Sequence, residues 1–228
     1  MTVCFGACIG GLLESDKLGL PPKYRDFAGM VVMACSFQGG ILLWIRYFLR
    51  EASLSWRDAF GLEASRQGKA VLWGMAGAIA FIPVALALQF WVGDLIELAT
   101  RHPAVPQTAV QVLEKTGLPT GQRLFMGVLA VLIAPPAEEI LFRGIFYPTI
   151  KQSGFPKAAW WITSLLFAGM HFNVLSFIPL MVFSFVLIAL YEKTGSLWAS
   201  MTAHSLFNFA NFVLVMLTSG DNPVIPGK

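Results

Sequence analysis

The sequence is organised around residues 134–143, which read APPAEEILFR. This stretch places Glu138, Glu139 and Arg143 inside a run, 124–150, that is otherwise uncharged. Moving an unpaired charge into the hydrocarbon of a bilayer costs at least ~2.5–3.5 kcal/mol, so charged groups at membrane depth usually serve a function. The stretch therefore predicts both a membrane-embedded helix and the place where the chemistry occurs.

The composition of the whole chain agrees with a membrane location. Of its 228 residues, 56% are hydrophobic and 13% are charged, and the mean hydropathy is +0.67. A water-soluble domain of this length is less apolar. We therefore expect one all-α membrane domain over residues 1–228, a polytopic helical bundle of about six to eight segments. The net charge of only +3 is spread over the loops, which argues against nucleic acid as a partner.

Uncharged runs give the individual helices. A helix needs ~20 apolar residues to span a bilayer, so residues 1–13 are too short. The 34 uncharged residues of 158–191 would be ~51 Å long as one helix, so they must break. We expect the break at 171–173, because asparagine favours helix caps. The predicted helices are 27–45, 70–93, 124–150, 157–170, 174–191 and 196–218, with a short helix at 108–116 and either an interfacial amphipathic helix or a solvated loop at 51–69.

Basic residues predict the orientation. Five of them lie in the loop 46–69, the densest cluster in the chain. Because cytoplasmic loops are enriched in lysine and arginine, this loop is expected in the cytoplasm. The sequence thus predicts a multi-pass protein of the cell (inner) membrane, with a site that opens towards the cytoplasm.

Three of these helices bring polar residues to similar depths. At 1.5 Å per residue, Glu138 lies ~18 Å, His171 ~21 Å and His204 ~12 Å from the cytoplasmic helix ends. Asn208 shares a helix face with His204 because the two are four residues apart. Convergence of sequence-distant polar groups in an apolar bundle predicts a site.

Spacing separates the two glutamates. Glu139 and Arg143 are four residues apart and can form a buried pair that supports the site. Glu138 points about 100° away on a helical wheel and lacks an obvious cationic partner. Pro135 and Pro136 remove helical hydrogen bonds, so we expect them to open the helix and admit water beside Glu138.

Three short motifs resemble the CAAX-protease and bacteriocin-processing family of intramembrane endopeptidases, which includes the Ras-converting prenyl-protein proteases. The family's EExxxR matches residues 138–143, its FxxxH matches 167–171, and its HxxxN matches 204–208. Order and spacing agree, and the resemblance covers residues 120–215. It implies hydrolysis of a peptide bond in a membrane-associated peptide or protein. In this reading Glu138 activates water with help from His171, while His204 and Asn208 stabilise the oxyanion.

The resemblance leaves the use of a metal open. The family has been described both as metalloproteases and as glutamic proteases, and Glu138, His171 and His204 could together bind zinc. The HExxH pattern of common zinc helices is absent. We favour a mechanism without a metal or other cofactor.

Two other functions fit the same helices. A non-catalytic membrane scaffold or immunity protein would keep the bundle, but binding alone has no need of Glu138. A proton-coupled transporter would also bury glutamate and histidine at mid-depth. Such transporters are commonly built from internal repeats, and this sequence shows none.

Overall fold

A computed structural model describes residues 22–60, 62, 64–114 and 118–218. In this part of the chain every regular element is a helix, which confirms the predicted all-α class. The eight helices are α1 (Pro22–Glu51), α2 (Trp56–Phe60), α3 (Ala64–Thr100), α4 (Thr108–Glu114), α5 (Thr120–Gln152), α6 (Pro156–Gly169), α7 (Val174–Thr194) and α8 (Leu197–Thr218). The prediction for residues 1–13 lies outside the described residues.

Five of the described helices are long and apolar enough to cross a membrane: α1, α3, α5, α7 and α8. The protein is therefore an integral membrane protein with several spanning helices. Helix α6 has 14 residues, which at 1.5 Å per residue is ~21 Å and too short to cross the hydrocarbon core.

The segment between the first two spanning helices differs from both predicted forms. Among the described residues of this segment, only Trp56–Phe60 are helical, and α3 already begins at Ala64. Phe60 is buried because its ring packs over Gly144 of α5, where a Cβ atom would come within 2.8 Å of the ring. A tertiary contact that the local sequence does not reveal thus ties this segment to α5.

Helix α3 also runs further than its uncharged core. It continues to Thr100 through Asp94 and Glu97, both of which are exposed. At 37 residues its length is ~55 Å, well beyond the ~30 Å hydrocarbon core. The charged turns therefore extend the helix out of the membrane instead of ending it.

The predicted break between α6 and α7 is confirmed. Helix α6 ends at Gly169 and α7 begins at Val174. Asn173 caps α7, since its Oδ1 accepts a hydrogen bond of 2.9 Å from the Ser176 amide. The break leaves His171 at the end of α6.

Small residues let the long helices approach closely. A Cβ atom on Gly74 of α3 would collide with the Ala199 carbonyl of α8 and lie 2.8 Å from Thr202 Cβ. Gly127 of α5 similarly faces the Phe212 ring of α8, 2.7 Å from where a Cβ would be. Close packing of this kind brings helices together in membranes, where no hydrophobic force drives their association.

Candidate active site

The predicted residues lie on two helices and one connection between helices. Helix α5 carries both glutamates and Arg143, the α6–α7 connection carries His171, and α8 carries His204 and Asn208. Phe81, Phe183 and Phe207 pack against each other beneath them, with ring centroids 4.3–5.9 Å apart. This apolar floor holds α3, α7 and α8 in place around the polar residues.

Helix α5 changes its winding on both sides of the glutamates. Residues Leu129–Ile133 and Ile140–Phe146 are π-helical. In the first segment the Ala134 amide donates to the Leu129 carbonyl, five residues back. Each segment ends two residues before a proline, at Pro135 and Pro148. A proline has no N–H and its ring crowds the carbonyl four residues earlier, so the wider turn relieves that clash.

Glu139 is the centre of the polar cluster. Its side chain is fully buried, and its Oε1 accepts a 2.9 Å hydrogen bond from Arg143 Nη1. The same oxygen lies 2.9 Å from His204 Nδ1. Since an ionised carboxylate is only an acceptor, His204 donates through Nδ1–H. One oxygen of α5 therefore fixes both a guanidinium and the orientation of an imidazole on α8.

Arg143 is anchored on its other side by α7. Its Nη2 donates to the Ser184 hydroxyl at 2.7 Å and to the Ser184 carbonyl at 3.3 Å. Its Cζ lies 4.6 Å from the centroid of the Phe167 ring, within the range of a cation–π contact. The predicted Glu139–Arg143 pair is thus present, and it joins α5, α6 and α7.

Glu138 has a different environment from its neighbour. Its side chain is 13% exposed, and its Oε2 lies 3.9 Å from His204 Nε2. Among the described residues it forms no hydrogen bond. A carboxylate with open acceptor positions beside an oriented imidazole is suited to bind and deprotonate a water molecule.

The aromatic ring of Phe167 contacts both His171 and His204. The centroid of Phe167 lies 5.1 Å from the His171 ring and 5.5 Å from the His204 ring. His171 Nδ1 is 2.8 Å from the Phe167 carbonyl, which makes Nδ1 the donor and leaves Nε2 as an acceptor. Within the described residues His171 makes no hydrogen bond to Glu138, His204 or Asn208.

Asn208 is tied to the first π-helical segment. Its Nδ2 donates to the Ala130 carbonyl at 2.8 Å. That carbonyl has lost its α-helical partner, because the Ala134 amide bonds to Leu129 and the next nitrogen belongs to Pro135. One of the two amide hydrogens of Asn208 is therefore used, and the second remains available.

The donors do not form a ready metal site in this conformation. In the described part of the chain, no three His, Cys, Asp or Glu side chains are grouped closely enough to hold a metal ion. Glu138, His171 and His204, the set considered for zinc, are included in that finding. The residues as arranged do not fit a three-ligand zinc centre.

Two features of the cluster escaped the sequence analysis. Ser184 was not singled out, although it is a lone hydroxyl inside the apolar run LMVFSFVLIAL of α7, which is a usable signal. The hydrogen bond from His204 to Glu139 is the second such feature, since the sequence predicts only Arg143 as a partner of Glu139. Nothing in the spacing of residues 65 positions apart indicates such a contact.

The Ser184 hydroxyl accepts a hydrogen bond from a buried guanidinium and should therefore contribute to stability. Replacing Ser184 by alanine removes a hydroxyl acceptor from the buried Arg143 guanidinium. Leaving a buried charged donor short of a partner costs about 1–3 kcal/mol. We expect Ser184→Ala to lower the thermal unfolding temperature of the purified protein in detergent.

Ser164→Ala is the matched control. Ser164 is also fully buried, but its hydroxyl has no hydrogen-bond partner among the described residues. Its removal should leave the unfolding temperature unchanged or raise it slightly. Equal destabilisation by the two substitutions would contradict a specific role for Ser184.

Comparison with known proteins places this geometry in context. Residues 120–210 match the family described as type II CAAX prenyl endopeptidase Rce1-like. The matched segment contains α5 to α7 and most of α8, and so includes every residue of the polar cluster. No solved structure matches the chain significantly.

Three relatives also align. The Bacillus subtilis protein YpbD is 38% identical over 85 residues, covering 36% of this chain and 41% of the relative. The Lactococcus lactis UPF0177 protein YxdF is 28% identical over 52% of this chain and 72% of its own length. The Bacillus subtilis protein named putative membrane peptidase YdiL is 24% identical over 65% of this chain and 57% of its own length. The chain thus spans less than half of YpbD and under two thirds of YdiL. The resemblance carried by the three motifs is confirmed, since residues 120–210 match the Rce1-like family.

Proposed function

We propose that this protein is an intramembrane endopeptidase that hydrolyses a peptide bond in a membrane-associated peptide or protein. The observation that carries the proposal is the pairing of two adjacent glutamates with one imidazole. His204 is held by Glu139 through Nδ1 and presents Nε2 to Glu138 at 3.9 Å. The Rce1-like match of residues 120–210 and the similarity to YdiL, named a putative membrane peptidase, support a peptidase function.

The reaction begins with water bound at Glu138. The Glu138 carboxylate takes a proton from this water while its oxygen attacks the substrate carbonyl carbon. A tetrahedral intermediate forms, with negative charge on the former carbonyl oxygen. The proton on Glu138 then passes to the amide nitrogen, the C–N bond breaks, and the amine leaves. Proton transfer by a positioned carboxylate typically contributes 10²–10⁴-fold to such a rate.

His171 assists by holding the attacking water. Its Nδ1 is bonded to the Phe167 carbonyl, so Nε2 is an acceptor that can take a hydrogen bond from water. The Phe167 ring separates it from His204, with centroids 5.1 and 5.5 Å from the two imidazoles. In this arrangement the two histidines serve different sides of the reacting carbonyl.

His204 and Asn208 stabilise the oxyanion. Asn208 supplies the amide hydrogen that Ala130 does not use. His204 donates Nδ1–H to Glu139 and, when it carries both ring protons, supplies Nε2–H to the oxyanion. Donors fixed before the reaction are effective because they need no reorganisation in the transition state.

The substrate and orientation follow from the membrane setting. Glu138, His204 and Asn208 lie on α5 and α8, which are long and apolar enough to span the membrane, so a substrate must reach them from the bilayer or its surface. Lys151 and Lys193 lie at the same end of the bundle, at the ends of α5 and α7. By the positive-inside rule this end is cytoplasmic, and we propose that the site opens there in the cell membrane.

The central test is substitution of Glu138. We expect Glu138→Ala to abolish proteolysis by the purified, membrane-reconstituted protein, because the carboxylate that deprotonates water is lost. His171→Ala and His204→Ala should abolish it as well. The measurement is cleavage of a membrane-associated reporter peptide, with membrane insertion checked in parallel.

Glu97→Ala is the control for this series. Glu97 is an exposed carboxylate near the end of α3, away from the cluster. The Glu97→Ala variant should cleave the reporter peptide at the wild-type rate. If Glu138→Ala cleaves as fast as the wild type, the assignment is wrong.

A second test concerns Asn208. We expect Asn208→Ala to slow turnover by about 10²–10³-fold, the usual effect of losing one oxyanion donor. Asn211→Ala is its control, since Asn211 lies one turn further along α8 and donates to the Phe207 carbonyl. Similar rates for the two variants would remove Asn208 from the site.

The third test addresses the metal. We propose that the reaction needs no metal ion, so proteolysis should persist in a strong chelator and metal analysis of the active protein should find no stoichiometric zinc. Loss of activity in chelator, with recovery on adding zinc, would replace this mechanism by a zinc-dependent one.

A further inference from the structure

A groove at the basic end of the bundle lies apart from the catalytic cluster. Its lining residues, Lys69, Leu72, Trp73 and Ala76, form one face of α3, and its volume is about 270 Å³. They recur at intervals of three and four residues, the spacing of one helix face. Lys193 of α7 reaches across this face, with Nζ 3.5 Å from the centroid of the Trp73 ring.

The close packing of α3 and α7 sets this geometry. Gly77 of α3 lies against Leu190 of α7, where a Cβ would come within 2.9 Å of the leucine side chain. The helices run in opposite directions, so one turn towards the membrane surface brings Trp73 beside Lys193. The neighbouring positions of Trp73 and Lys193 therefore follow from the packing of α3 against α7.

The two lysines at the groove carry charge that nearby carboxylates do not balance. Glu192, the neighbour of Lys193, is bound to Lys151 instead. Among the described residues neither Lys69 nor Lys193 forms an ion pair. Both lysines are exposed. Two ammonium groups without a carboxylate partner, beside a tryptophan, favour an anionic group as the occupant.

The groove is also polar at one end and apolar at the other. The spanning part of α3 begins at Gln67 and that of α7 ends at Thr194, so Lys69 and Lys193 lie at the membrane surface. Leu72, which is 66% exposed, and Ala76 lie further into the bilayer along the same face. Tryptophan is enriched at this depth because its ring suits the headgroup boundary.

We propose that this groove binds one anionic phospholipid. The lipid phosphate lies between Lys69 and Lys193, and the start of an acyl chain packs along Leu72, Trp73 and Ala76. A free phosphate would meet the same cations but would leave the apolar half of the groove empty. The proposal is independent of the proteolytic reaction, since none of these residues contacts the catalytic cluster.

The test measures lipid bound to the purified full chain. The protein is equilibrated in non-ionic detergent with equal amounts of phosphatidylglycerol and phosphatidylcholine of identical acyl chains, and bound lipid is counted by native mass spectrometry. We expect one phosphatidylglycerol to be retained in preference to phosphatidylcholine. Inorganic phosphate in large excess should not displace it.

Charge removal at the groove supplies the decisive comparison. Lys69→Gln and Lys193→Gln should each weaken phosphatidylglycerol binding about fivefold, the effect of one cation near an anionic lipid surface. The double variant should show the product of the two effects. Because both lysines are exposed, the variants should fold, and each single variant is informative alone.

The matched control is Arg50→Gln with Lys157→Gln. It removes two exposed charges from the same end of the bundle, at the end of α1 and the start of α6, and it should retain the lipid. Equal loss in both double variants would show only general attraction to the basic end. Displacement by inorganic phosphate, or equal retention of phosphatidylcholine, would also overturn the proposal.

Discussion

A single carboxylate oxygen in the membrane interior holds the polar cluster together. Glu139 Oε1 receives both Arg143 Nη1 and His204 Nδ1 at 2.9 Å. Because these groups are fully or almost fully buried, none of them can exchange its partner for water. Removing one member of a buried ion pair costs about 3–5 kcal/mol. The relative positions of α5 and α8 are therefore constrained by charge, in addition to packing.

The same helix carries a second constraint, imposed by its prolines. Pro135 and Pro136 remove two successive amide donors, and Pro148 removes a third. The backbone accommodates the missing donors by forming π-helical turns on either side of the glutamates. The first of these turns leaves the Ala130 carbonyl without a backbone donor, and the Asn208 side chain donates a hydrogen bond to it instead. Irregular backbone in a membrane persists only where protein or water satisfies it. Asn208 therefore stabilises the distorted helix, in addition to the oxyanion role proposed for it.

Local patterns predicted what depends on local physics. The uncharged runs located the spanning helices, and Asn173 marked the break before α7, because hydropathy and capping act within a few residues. Phe60 packs over Gly144 and so joins the segment between α1 and α3 to α5. No property of residues 51–69 indicates this contact. For the site, the spacing of Glu139 and Arg143 predicted their pair. The anchors Ser184 and His204 come from α7 and α8, and such partners depend on how helices cross.

Two adjacent glutamates can therefore perform different tasks without any difference in chemistry. Glu139 is fully buried and its Oε1 is engaged by two donors, so it is committed to structure. Glu138, turned about 100° around the helix, has 13% of its side chain exposed and faces the free nitrogen of the imidazole that Glu139 orients. In the proposed mechanism the buried glutamate therefore acts on the reaction through His204. A mechanism that assigned both carboxylates to water would leave Arg143 without its counter-charge.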